Sequence, residues 1–122
     1  MNNKFIRIFG AGRSGTTLLD LILGNDPDSF SLGEVHALFR PYRKHHFKID
    51  CNCGDESCEI WKGLIDFDER NFHNNCFEAL NVNCLIDSSK DIVWMIDNSK
   101  WLDSNINQYN FLIYKPIISY IY

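Results

Sequence analysis

The sequence predicts an α/β unit built on a parallel sheet, and three observations predict it. Short β-rich runs alternate with segments of helical periodicity. The first run, Lys4–Phe9, stops on a glycine-rich turn, Gly10-Ala11-Gly12-Arg13-Ser14-Gly15, that opens directly into an apolar helical stretch. Three polar clusters, residues 10–17, 33–34 and 87–90, fall at the carboxyl ends of expected strands, the edge where ligands bind in such sheets.

The elements follow in order. Lys4-Phe5-Ile6-Arg7-Ile8-Phe9 alternates and is rich in β-formers, the pattern of a short strand. From Thr16 to Leu23 the residues Leu18, Leu19, Ile22 and Leu23 form the stripe expected of a buried helix face. Gly24-Asn25-Asp26-Pro27-Asp28 ends that helix. Ser29–Leu32 reads as a second strand, followed by a helix through Val35, Leu38 and Phe39 that Pro41 terminates. Residues 42–58 are polar, basic and Cys-containing, and read as a loop. A helix over about Asp68–Leu80 is supported by Phe72, Cys76, Phe77 and Leu80. Val82–Ile86 predicts a strand with Asp87-Ser88-Ser89-Lys90 at its carboxyl end, residues 91–103 a helix, and Asn110–Tyr114 a last strand.

The 122 residues, 45% hydrophobic and 14% aromatic, suit one domain spanning 1–122, with 41–62 as a Cys-containing loop insert. Sixteen acidic against 12 basic residues give a net charge of −4, which argues against a broad basic face for nucleic acid. No run approaches the roughly 18 apolar residues of a membrane span. The Met1-Asn2-Asn3-Lys4 start carries no secretory pattern, so a cytoplasmic setting is expected. Five cysteines, at 51, 53, 58, 76 and 84, are an odd number for a disulfide framework.

The glycine turn fits several templates. Gly10-x-Gly12-x-x-Gly15 satisfies a dinucleotide fingerprint with Glu34 near the distance of a ribose acid, but two threonines follow where close helix–sheet packing is wanted. Gly10 and Gly15 also have the spacing of a phosphate loop, with Thr17 as its hydroxyl. Thr16, however, stands where an ATP-binding loop needs Lys, and the cation appears earlier, as Arg13. What remains is a loop whose amides, helix start, hydroxyls and one guanidinium converge on an anion. A plain tight turn between strand and helix would need neither the Arg nor the three hydroxyl residues.

Gly10-Ala11-Gly12-Arg13-Ser14-Gly15-Thr16-Thr17-Leu18-Leu19 resembles the 5′-phosphosulfate loop of sulfotransferases that use 3′-phosphoadenosine 5′-phosphosulfate, in the branch containing tyrosylprotein and many bacterial enzymes. That family resembles nucleotide kinases in fold and generally lacks the kinase Lys. The resemblance implies a P-loop, nucleotide-kinase-like sheet flanked by helices and incomplete at its carboxyl end. It also implies that Gly12, Arg13, Ser14, Gly15, Thr16 and Thr17 hold the sulfuryl donor. Gly33-Glu34, 21 residues past Arg13 to the carboxylate, is similar to a Gly-Glu pair whose Glu is the family's general base. Asp87-Ser88-Ser89-Lys90 is similar to a segment whose Lys is catalytic. Glu34, Arg13 and Lys90 are therefore the expected catalytic residues, with no metal expected. The acceptor that the resemblance implies is a hydroxyl, whether on carbohydrate, lipid, protein tyrosine or a small molecule. Two alternatives stay open: an ATP-binding phosphotransferase, or a non-catalytic nucleotide-binding fragment.

Cys51-x-Cys53-Gly54-x3-Cys58-x2-Trp61 resembles a Cys-rich insert of some bacterial members. With His45 or His46 it could form a zinc site, although the spacing fits zinc loosely and thiols or one local disulfide are the expectation. The family's 3′-phosphate site would begin at Phe111–Pro116, where Lys115 stands for its Arg. The apolar Pro116–Tyr122 segment is expected to seek a partner.

Overall fold

A computed structural model describes residues 2–10, 16–41 and 58–113. The elements run β1 (Lys4–Gly10), α1 (Thr16–Leu23), β2 (Ser29–Gly33), α2 (Val35–Phe39), α3 (Glu59–Leu64), α4 (Phe72–Leu80), β3 (Cys84–Asp87), α5 (Ile92–Trp101) and β4 (Asn107–Ile113). The strands form one sheet in the order β2-β3-β1-β4, with every pairing parallel. The expected α/β architecture is present. No helix among the described residues is long and apolar enough to cross a membrane.

Strand alternation sends the side chains of β1 to two different layers. Ile6 and Ile8 join Cys84 and Ile86 against Leu19 and Leu23 of α1. Phe5 faces the opposite way and joins Leu85, Phe72, Cys76 and Phe77 of α4, and Trp94 and Met95 of α5. Every residue of β3 is buried, as expected for a central parallel strand covered on both faces. Phe72 is the hub of the larger layer: fully buried, with edge-on contacts to Phe39 and Phe67 at 5.3 and 6.4 Å. Burying one such ring stabilises the fold by roughly 1.5–3 kcal/mol.

The structure corrects several boundaries. In α1, Leu18 and Ile22 are 64% and 60% exposed, whereas Asp20 is 2% exposed and Leu19 and Leu23 are half-buried. The inward face is thus rotated by about a residue from the apolar stripe, because Asp20 has hydroxyl partners inside. α4 begins at Phe72, not Asp68, since the Asp68 carboxylate accepts hydrogen bonds from the Asn71 backbone N and Nδ2 at 3.2–3.3 Å and so builds a turn instead. α4 ends where Asn81 takes left-handed backbone at φ 53°, one of the usual helix stops. β4 starts at Asn107, three residues before the expected Asn110, because its ladder with β1 pairs backbone from Lys4↔Asn107 to Gly10↔Ile113 regardless of side-chain polarity. α3 is a short helix that the periodicity did not show. α5 is capped by the Asp91 carboxylate, which accepts from Trp94 N at 2.9 Å, a contact worth about 1 kcal/mol.

The order of connections positions a site. The chain leaves β1 through α1 toward the β2 side, and leaves β3 through α5 toward β4, while β1 and β3 lie side by side. Adjacent parallel strands whose connections depart in opposite directions open a crevice at their carboxyl ends.

Candidate functional site

Three connections between described elements leave the carboxyl edge of the sheet. They follow Gly10 of β1, Gly33 of β2 and Asp87 of β3. Of the first, Gly12, Arg13, Ser14 and Gly15 lie outside the described residues, while Thr16 and Thr17 begin α1. Cys51, Cys53, His45, His46 and Lys115 also lie outside them. The other two turns are described in full, and they meet.

Lys90 Nζ lies 3.2 Å from Glu34 Oε1. Glu34 stands at the N-cap of α2 but makes no side-chain capping hydrogen bond. Its carboxylate is therefore turned to Lys90 rather than to its own helix. Gly33 and Lys90, the residues that aim this pair, both have positive φ, +68° and +70°. At Gly33 the absence of a Cβ makes that harmless. For a lysine it is strained backbone, typically costing on the order of 1–3 kcal/mol. A partly exposed ion pair returns only about 0–1 kcal/mol, so the Glu34–Lys90 contact cannot by itself offset the strain at Lys90. Strain that the local contact does not repay clusters at functional sites.

What holds the turns is a set of buried hydrogen bonds on both faces of the sheet. Between the turns, Ser88 N donates to the Gly33 carbonyl at 2.9 Å, beside an irregularity in the β2–β3 register between Ser31 and Gly33. On the α4 face, the fully buried Asp87 accepts from His73 Nε2 at 2.8 Å and from Ser89 N at 2.9 Å, and also bonds Ser89 Oγ. Ser89 Oγ accepts in turn from His36 N at 2.9 Å, which ties the Lys90 turn to α2, the helix whose N-cap is Glu34. His73 is wedged edge-on against Phe5 and Phe72, with ring centroids 4.7 and 5.4 Å away. Both oxygens of Asp87 are thus committed to structure.

On the α1 face, Asp20 is nearly as buried. Its Oδ1 accepts from Ser31 Oγ and its Oδ2 from Ser88 Oγ, both at 2.6 Å, the short range of hydroxyl–carboxylate bonds. Burial pushes the Asp20 carboxyl above its usual range; the two serine bonds and a hydrogen bond from the Gly33 backbone N–H oppose that, and the charge of Asp87 adds to it. Burial also lowers the Arg7 guanidinium, which the Asp87 charge opposes; Arg7 and Asp87 are register partners on β1 and β3. The thiol of Cys76 on α4 is pushed up to about 12, chiefly by burial and then by Asp87, so it stays protonated and unreactive.

Glu34 and Lys90, both expected from sequence, are brought together. Asp20, His73 and the roles of Ser88 and Ser89 are not evident from sequence patterns. One signal existed for Asp20: a single carboxylate within the otherwise apolar Leu18–Leu23 run is anomalous unless buried with partners. No signal existed for His73, whose partner lies 14 residues away on another element. Among the described residues no group of three or more His, Cys, Asp or Glu side chains is arranged to hold a metal ion. No protein-family model, curated protein or solved structure significantly matches this chain.

Proposed function

We propose that the protein is a sulfotransferase that moves a sulfuryl group from 3′-phosphoadenosine 5′-phosphosulfate to an acceptor hydroxyl. The observation that carries the reading is the Glu34–Lys90 contact of 3.2 Å at the carboxyl edge of a parallel sheet, beside the strand that runs into the glycine turn. Sulfuryl transfer asks for these two groups together. As the acceptor oxygen forms its bond to sulfur, the hydroxyl proton passes to the Glu34 carboxylate, a step such a base typically accelerates about 10²–10⁴-fold. The bond from sulfur to the 5′-phosphate oxygen breaks, and the Lys90 ammonium stabilises the charge that develops there. Adenosine 3′,5′-bisphosphate leaves. Arg13 and the amides of the glycine turn, with Thr16 and Thr17, take the phosphate end in this reading. A sulfuryl group carries less charge than a phosphoryl group, so in this reading Arg13, Lys90 and the amides of the glycine turn serve as its counterweight.

Titration calorimetry tests the reading. Adenosine 3′,5′-bisphosphate should bind without added Mg²⁺ and should outcompete ATP. Mg²⁺-dependent ATP binding in its place would point to phosphoryl transfer, and binding of neither nucleotide would leave an interaction module.

A further inference from the structure

Asp20 lies on α1, outside every motif used so far, yet its environment is that of a component of the site. It is 2% exposed, and its two oxygens reach two different segments, Ser31 of β2 and Ser88 of the turn after β3, with a further hydrogen bond from the Gly33 backbone N–H. Ser31, on Oδ1, sits two residues before Gly33; Ser88, on Oδ2, sits two residues before Lys90. The helix that carries Asp20 is the one the glycine turn opens into. The approach of these segments is close. A Cβ added to Gly24, at the end of α1, would stand 2.6 Å from Ser31 Cβ and 3.0 Å from its backbone N, so α1 and β2 meet there without room for a methyl group.

Stability alone is a poor account of this carboxylate. Removing an ionised group from water costs several kcal/mol even with good partners, and an apolar residue would serve α1 better against the Ile8, Cys84 and Ile86 layer. The carboxylate supplies two acceptors at a fixed separation, which an apolar side chain cannot.

We propose that Asp20 is a positioning residue that sets the Glu34–Lys90 contact by holding Ser31 and Ser88 on its two oxygens. The inference rests on the sulfuryl-transfer reading for the roles of Glu34 and Lys90, but its geometry can be read without catalysis. Asparagine preserves that geometry: its Oδ1 accepts from Ser31 and its Nδ2 donates to Ser88 Oγ.

The test uses the whole chain with lysines reductively dimethylated with ¹³C-formaldehyde, and follows the Lys90 methyl resonance, assigned by its loss in Lys90→Arg. Glu34→Gln marks its position when the contact is broken. Asp20→Ala and Ser88→Ala should move the resonance most of the way to that position, and Asp20→Asn should keep the parent position. If Asp20→Ala fails to fold, Ser88→Ala decides, since deleting one hydroxyl leaves the core intact. A parent-like resonance in folded Ser88→Ala, or an Asp20→Asn resonance at the broken position, overturns the proposal. Calorimetry with adenosine 3′,5′-bisphosphate on the unmodified parent separates the two levels. Absent binding there defeats the sulfuryl-transfer reading, whereas the resonance comparison alone decides what Asp20 does.

Discussion

Lys90 holds left-handed backbone at φ +70° while its ammonium contacts a carboxylate that is 40% exposed. The ion pair is too solvated to offset that conformation, so stability and function should part company here. Lys90→Gly should raise stability by up to about 1 kcal/mol, the strain relieved being partly cancelled by glycine's larger unfolded-state entropy, and should abolish sulfuryl transfer. Urea midpoints and a transfer assay check the two halves. Glu34→Ala should lower turnover about 10²–10⁴-fold with bisphosphate affinity nearly unchanged, whereas Arg13→Ala should weaken both; equal, slight effects from the two changes would count against the assignment. Asp20 yields a pH prediction with a definite sign. Its carboxyl is raised above the ordinary 3.8, first by burial, so its favourable contribution to folding is complete below that value and is lost as pH rises through the folded one. Asp20→Asn has no such loss. The stability difference between parent and variant should therefore move in favour of Asn as pH climbs from the ordinary aspartate range toward neutrality, and a pH-independent difference would contradict it.

Helices and strands here are placed by a few close contacts more than by propensity. α1 is apolar on nearly every side, and what orients it is Asp20 on its serines together with Gly24 against Ser31. Gly24→Ala should destabilise by about 1–3 kcal/mol, the usual effect of forcing atoms into a filled site, because the neighbouring atoms include backbone that cannot rotate away. Thermal denaturation measures this, and a parent-like midpoint would show that the approach of α1 to β2 is softer than the geometry implies. The alternation of β1 and the apolar run Cys84–Ile86 of β3 belong to the same scale. Both could be read from sequence, since period-two apolarity and a short apolar run are local properties. The starts of α4 and β4 could not. The first depends on a carboxylate folding back on Asn71, and the second on a neighbouring backbone that pairs asparagine and glutamine as readily as phenylalanine.

The described residues form a sheet with two unequal layers. The larger, centred on Phe72 and His73, packs α4 against β1 and β3 and thereby supports the Asp87 bracket from below. Phe72→Ala should cost about 3–5 kcal/mol through lost burial and the cavity left behind, and should loosen the site with the core; a urea transition that keeps its midpoint would show that this layer is not what carries the fold. By itself the sequence determined the α/β class, the parallel direction of the strands and the presence of Glu34 and Lys90 at strand ends, because strand, glycine turn and helix are written in short-range patterns and parallel order puts every carboxyl end on one edge. Only the tertiary structure decided that the two residues touch, which way α1 faces, and that Asp20, Asp87 and His73 lie beneath them. Those outcomes depend on contacts between elements 11 to 68 residues apart in the chain, where a buried polar side chain is explained by its partners and not by its neighbours in sequence.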